Sequence, residues 1–194
     1  MTRVYFVRHA QPDHSWKDNR TRPLTEEGRE DSKIVTEFLK EIPADCFYCS
    51  PYIRSLDTIR KAAESEGKQI VTDERLRERD SLPGSNTPAL MERRWADPQF
   101  HEDGGESISA VQKRNIEALH EILRNHRDET IVIGTHGTAL STILNYYDSS
   151  FSFRNFMRII DWMPYVLQAD FRDEDLVSLR ECCYILKDFK GNIR

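Results

Sequence analysis

Five side chains suited to phosphate chemistry lie far apart in the sequence. Arg8 and His9 follow an apolar run near the amino terminus, and Arg54, Glu78 and His136 come later. Arginine binds phosphate oxygens through its planar fork, and a neutral imidazole can attack phosphorus. A carboxylic acid can protonate the departing oxygen. These residue types predict phosphoryl-transfer chemistry if the fold brings them together.

Each of these side chains also has an ordinary structural interpretation. An arginine at a strand end commonly pairs with a carboxylate, and a single histidine is commonly a surface residue. Glu78 lies in the charge run "DERLRERD", where Glu74 is an alternative proton donor and most side chains must be solvated. The functional interpretation therefore depends on the elements that position these residues.

Apolar strand-like runs alternate with amphipathic helical segments along the chain. Helical spacing of apolar residues, with Thr25 as N-cap, predicts the first helix. Ser50 as N-cap with Pro51 at the first helical position predicts the start of the second. The expected strands are 3–7, 45–50, 68–73 and 130–137, with an antiparallel hairpin at 165–186; the expected helices are 23–42, 50–67, a long one from 107, 138–147 and 152–160.

This alternation predicts a three-layer α/β/α sandwich around a mainly parallel sheet, in a single domain spanning 1–194. Ligands of such sheets bind at the carboxyl ends of the strands. Arg8, His9 and Arg54 closely follow predicted strands, and His136 lies at the carboxyl end of the strand 130–137. Glu78 follows the strand-like segment that begins at Gln69. Residues 79–103 form an insertion that we call the lid.

Three lid residues, Arg93, Arg94 and Trp95, have two interpretations. They recognise a second part of the substrate, or they form an exposed helix face. The exposed face is the favoured interpretation.

The composition limits the partners. The chain has 194 residues and a formal net charge of −5, which argues against nucleic acid or an anionic membrane as the main partner. No apolar run has the length of a membrane span, so we expect a cytoplasmic protein. Cys46 and Cys49 in a strand point to opposite faces, which argues against a zinc site. A homodimer stays open.

Six motifs resemble one known family. "VYFVRHAQ", "PLTEEG", "CSPYIRSLDT", "LRE", "GGES" and "IVIGTHGTAL" occur in the order and rough spacing of the histidine phosphatase superfamily, the phosphoglycerate mutase-like fold. The resemblance covers residues 3 to about 145. The last fifty residues carry no motif.

The resemblance implies a role for each matching position. His9 is expected to be the nucleophile that becomes phosphohistidine, and Glu78 the proton donor. Arg8, Arg54 and His136 are expected to hold the phosphate. The usual polar contact from the loop 11–23 cannot be placed from the motif, and its candidates are Ser15 and Asn19. No metal or other cofactor is implied.

The leading prediction is a metal-independent phosphatase acting on a small phosphomonoester. His136 is followed by glycine, as in the mutase-type branch with a glutamate donor, whereas the acid phosphatase branch has His-Asp. A phosphoglycerate mutase is one alternative. The resemblance argues against it, because glycolytic mutases of this family have longer chains with a larger insertion between the glutamate and the "GGES" motif. Such an enzyme must exclude water from its phosphohistidine, which a short lid does poorly. The other alternative is a non-catalytic member that binds phosphorylated ligands or proteins.

Overall fold

The computed structural model of the protein describes residues 1–82 and 84–188. These residues include six strands in one sheet, in the order β3-β2-β4-β1-β5-β6. The four strands β3, β2, β4 and β1 run parallel, and β5 and β6 form an antiparallel hairpin beside β1. The strands are β1 (Thr2–Arg8), β2 (Cys46–Cys49), β3 (Ile70–Thr72), β4 (Thr130–Thr135), β5 (Trp162–Arg172) and β6 (Asp175–Leu186).

Helices cover both faces of this sheet, so the predicted three-layer fold with a mainly parallel sheet is confirmed. The described helices are α1 (Glu26–Lys40), α2 (Ile53–Ser65), α3 (Pro88–Ala96), α4 (Ile108–Asn125), α5 (Gly137–Tyr147) and α6 (Phe153–Ile159). None of the helices in the described part of the chain is long and apolar enough to cross a membrane.

Alternating side chains of the central strands supply two separate cores. Val4 and Phe6 pack with residues of α4, α5 and α6 on one face. Tyr5 and Val7 pack with residues of α1 and α2 on the other. Because consecutive side chains of a strand point to opposite faces, a continuous apolar run suits a strand covered on both sides. These two cores hold the central strands in place, so their carboxyl ends form a fixed platform.

The helix caps are confirmed in part. The Thr25 side chain accepts a hydrogen bond from Gly28 N at the start of α1, and Ser107 accepts one from Ala110 N at the start of α4. The prediction that Ser50 caps α2 is wrong, because this helix begins at Ile53 with Tyr52 as its N-cap. Ser50 N donates to Gly134 O instead. The pairing of β2 with β4 thus continues through Ser50, and α2 begins three residues later in the chain than this residue.

Candidate active site

His9 lies directly after β1 and beside the end of β4. Its backbone N donates to Thr135 O at 3.2 Å, so the two central strands stay paired up to this residue. The ring nitrogen Nδ1 lies 2.7 Å from Ala10 O. Because a carbonyl oxygen only accepts hydrogen bonds, Nδ1 carries the proton of the neutral ring. Nε2 is therefore the unprotonated nitrogen, and its lone pair is the one that can attack an electrophile.

Arg54 holds the other side of the His9 ring. This guanidinium is only 3% exposed. Its Nε–H donates to His9 Nε2 at 3.3 Å, and its Nη1 donates to the backbone oxygen of Asn19 at 2.6 Å. Burial lowers the pKa of Arg54 to about 10, which leaves it charged at neutral pH. A fixed cation next to a nucleophilic nitrogen suits the binding of an anionic substrate.

His136 is fully buried beside His9, with ring centroids 5.2 Å apart. Its Nε2 lies 2.7 Å from Ser50 Oγ. Among the described residues, its Nδ1 has no hydrogen-bond partner. Burial first, and then the Arg54 charge, lower the pKa of both His9 and His136 well below the ordinary value for histidine. Both rings are therefore neutral at neutral pH in the free protein.

Arg8 reaches the end of α6. Its two terminal nitrogens donate to the carbonyl oxygens of Ile159 and Ile160 at 2.5 and 2.8 Å. The position of the Arg8 guanidinium explains why a glycine, Gly137, follows His136. A Cβ at this position would lie 3.0 Å from Arg8 Nη2 and would press on the guanidinium.

Glu78 lies beyond β3, after a short 3-10 turn at Glu74–Leu76. Its Oε2 accepts from Thr138 N, and its Oε1 accepts from Ala139 N and from Arg79 N, at 2.8 to 3.2 Å. Thr138 and Ala139 belong to the first turn of α5, where backbone N–H groups have no partner within the helix. The helix that follows His136 thus fixes the carboxyl group. The alternative donor, Glu74, pairs with Arg20 and is more than half exposed.

Two further residues, Arg114 and Glu106, hold the segment that carries Glu78. Arg114 of α4 donates to the carbonyl oxygens of Arg75, Arg77 and Glu78 at 2.6 to 3.0 Å. Glu106 accepts from the Arg114 guanidinium at 2.8 Å and from Asp80 N at 3.0 Å. The motif "GGES" marks Glu106, but no local pattern marks Arg114. Together they act as a clamp on the segment that carries Glu78.

Replacing Arg114 with alanine is expected to lower kcat by up to about 10²-fold, because a displacement near 1 Å in a reacting group has effects of this size. The loss should be larger for ethyl phosphate than for p-nitrophenyl phosphate. An alkoxide needs a proton to depart, which Glu78 is predicted to supply, whereas nitrophenolate departs without one. Arg124→Ala is the matched control, because Arg124 lies on the same helix and pairs with Glu174 at the surface. Equal losses for the two substrates would show a general structural effect.

One cavity of about 720 Å³ connects these groups. Arg8, His9, Arg54 and Glu78 line it, whereas His136 lies buried beside His9. Both candidates from the loop 11–23 also line it. The Ser15 hydroxyl donates to the Asp13 carboxylate. The backbone carbonyl oxygen of Asn19 accepts from the Arg54 guanidinium.

The three lid residues Arg93, Arg94 and Trp95 do not all lie on the exposed helix face that the sequence favours. Arg93 is exposed, as an outer helix face requires, and its guanidinium stacks over Phe100. Arg94 is 2% exposed and pairs with Glu102, and Trp95 packs on Phe156. Arg94 and Trp95 both line the cavity. The exposed-face interpretation is therefore wrong for these two residues.

In the described part of the chain, one group of side chains has the composition of a metal site. Ligand atoms of Cys46, His126 and Glu129 lie within 4.8 Å of one another at the amino ends of β2 and β4, opposite to His9. Both ring nitrogens of His126 already contact protein partners, Tyr48 and Glu129. Burial, and then the Glu129 charge, raise the pKa of the Cys46 thiol to about 12. This group offers three ligands, whereas a structural zinc site is closed by four, so we propose no metal at this cluster.

The fold and this constellation define a histidine phosphatase, and the sequence comparison agrees. Residues 4–160 match the sequence model of the histidine phosphatase superfamily (branch 1), and the chain belongs to this family. The predicted family and fold are thereby confirmed.

Curated relatives include both hydrolases and mutases. Phosphoserine phosphatase 1 of Hydrogenobacter thermophilus is 27% identical over 70% of this chain and 71% of its own. A 2,3-bisphosphoglycerate-dependent phosphoglycerate mutase of Thermoplasma acidophilum is 28% identical over 73% of this chain and 74% of its own. Among solved structures, Bacillus stearothermophilus YhfR has a TM-score of 0.77 at 23% identity, covering 91% of this chain and 95% of its own. That structure supports the fold alone.

Proposed function

We propose that this protein is a metal-independent phosphomonoester hydrolase that acts on a small phosphorylated metabolite through a phosphohistidine at His9. The observation that carries the proposal is the His9 ring. Its Nδ1 is occupied by Ala10 O, its Nε2 lies beside Arg54, and both residues line the cavity that Glu78 also lines. The name of the Hydrogenobacter relative, a phosphoserine phosphatase, supports the reaction class.

The reaction has two steps. His9 Nε2 attacks phosphorus, the bond from phosphorus to the ester oxygen breaks, and Glu78 gives its proton to the departing alkoxide. In the second step Glu78, now a carboxylate, takes a proton from water while the water oxygen attacks phosphorus. The phosphorus–nitrogen bond breaks, and inorganic phosphate and neutral His9 are released. The charges of Arg54 and Arg8 stabilise the phosphoryl oxygens in both steps. For His136, whose ring lies beside that of His9, contact with the phosphoryl group stays a prediction.

A phosphoglycerate mutase is the second candidate, because relatives with that name match over a similar share of the chain. The lid argues against it. Between Glu78 and the long helix α4, the described residues include one helix, α3, of nine residues. A mutase must keep water away from its phosphohistidine while the intermediate turns round, and a lid of this size suits hydrolysis better.

The setting of the enzyme stays a proposal. We propose a single-domain cytoplasmic protein whose partner is its small-molecule substrate. Whether the protein forms a homodimer stays an open question.

An assay of purified protein against a panel of phosphomonoesters tests the function. We expect inorganic phosphate to be released at an undiminished rate in excess EDTA, because Arg8 and Arg54 supply positive charge that chelators cannot remove. Panels should include phosphoserine and 3-phosphoglycerate, with product analysis for the isomerised phosphoglycerate. Loss of most activity in EDTA would contradict the metal-independent site. Isomerisation faster than phosphate release would favour the mutase.

A further inference from the structure

The cavity above His9 has an extended apolar wall. Its residues come from the lid helix α3, from α6 and the residue that follows it, and from the start of β5. They are Met91, Trp95, Phe156, Ile160 and Met163. Neither the family motifs nor the phosphate pocket requires this wall. Since His9 and Arg54 hold the phosphoryl group, the wall can contact only the rest of the substrate.

The structure holds this wall in a fixed position. The Trp95 ring packs against Phe156 and Phe151, with centroids 5.7 and 6.1 Å away. On the same helix, the buried Arg94 guanidinium pairs with Glu102 and donates to Ser85 O. These contacts anchor α3 through two consecutive side chains. A preorganised surface binds an apolar group without first having to order itself.

The cavity is larger than a phosphoryl group requires. Its volume of about 720 Å³ lies within the ~300–1,000 Å³ of pockets that enclose drug-sized ligands. An apolar body that fills the remaining space would remove both its own surface and the wall from water, which favours binding.

The charges of the residues that line the cavity disfavour a substrate with an ammonium group. Among the described lining residues, Glu78 is the only one with a carboxylate, and backbone N–H groups hold both of its oxygens. The lining also contains six cationic side chains, which are Arg8, Lys17, Arg22, Arg54, Arg79 and Arg94. An ammonium group on the substrate would meet like charges and would find no carboxylate beyond the proton donor.

Resting on the hydrolase function proposed above, we infer that the preferred substrate is a phosphomonoester of an alcohol with an apolar, ring-sized body and no ammonium group. This class differs from phosphoserine, which is zwitterionic next to its phosphate. Trp95 is the specificity-determining residue in this inference.

Three primary-alkyl phosphates test it: ethyl phosphate, 2-phenylethyl phosphate and O-phosphoserine. All three release a primary alkoxide, so differences in leaving-group chemistry are small. We expect kcat/KM for 2-phenylethyl phosphate to exceed that for ethyl phosphate by about 10-fold or more, as apolar pockets discriminate. Phosphoserine should be no better than ethyl phosphate.

Variants connect this preference to the wall. In Trp95→Ala the ratio of kcat/KM for 2-phenylethyl phosphate over ethyl phosphate should fall by at least about threefold. Met91→Ala, on the same helix, should lower it too and serves if Trp95→Ala does not fold. Tyr146→Ala is the matched control, because Tyr146 is a half-exposed aromatic residue outside the lining and should leave the ratio unchanged.

The outcomes separate the two proposals. If no alkyl phosphate releases phosphate, the hydrolase function itself fails. If all three are hydrolysed and phosphoserine is the best, the function stands and the inference is overturned. A ratio near one in the wild-type protein, or a ratio that neither wall variant changes, also overturns it.

Discussion

Replacing His9 with alanine is expected to reduce turnover by about 10⁴-fold or more, the size of loss seen when a catalytic nucleophile is removed. The physical reason is the loss of Nε2, the ring nitrogen left unprotonated by the contact of Nδ1 with Ala10 O. His9 follows the end of β1 and belongs to neither apolar core, so the variant should fold. Circular dichroism and the Tm check this.

A chemical quench of the wild-type reaction completes this test. With a phosphorus-labelled substrate we expect an adduct that is labile in acid and stable in base, as a phosphohistidine is, and no adduct in His9→Ala. The matched control is His101→Ala, which removes an exposed histidine that does not line the cavity. An acid-stable adduct, or full activity in His9→Ala, would rule out this nucleophile.

The fold was predictable because its signals are local. The runs of β1 and β4 are apolar at every position that two cores require, and Thr25 and Ser107 cap the helices that follow their loops. Ser50 shows the limit. A serine before proline is a typical helix start, but its backbone pairs with Gly134 and its hydroxyl contacts His136. Both partners are distant in sequence, so local rules could not include them.

The site was predictable to the extent that strand ends and family motifs mark it. Arg8, His9 and Arg54 line one cavity because β1 and β2 both lie next to β4 in the parallel part of the sheet, which brings their ends to the same edge. The remainder depends on tertiary packing. Arg114 clamps Glu78 from a helix whose apolar pattern describes only its other face. Trp95 turns inward because Arg94 anchors its helix to Glu102, a contact with no signature in the sequence.

The second large effect concerns Glu78. Glu78→Gln removes the transferable proton and is expected to slow the phosphorylation step with ethyl phosphate by about 10²–10⁴-fold, the usual contribution of general acid catalysis. With p-nitrophenyl phosphate the same step should slow much less, because nitrophenolate departs without a proton. Rapid-quench measurement of phosphoenzyme formation with both substrates gives the comparison.

The contacts of Glu78 explain why the test compares the losses for the two substrates and does not use the rate with either substrate alone. Both carboxyl oxygens accept backbone N–H groups, and the amide of Gln would set an NH₂ against at least one of them. This disturbance is present whichever substrate is bound, so it cancels in the ratio of the two losses. Arg54→Ala is the control that should slow both substrates alike, since Arg54 is proposed to bind the phosphoryl group and not the leaving group. If Glu78→Gln also slows both alike, Glu78 only positions the site, and the proton reaches the alkoxide from another donor.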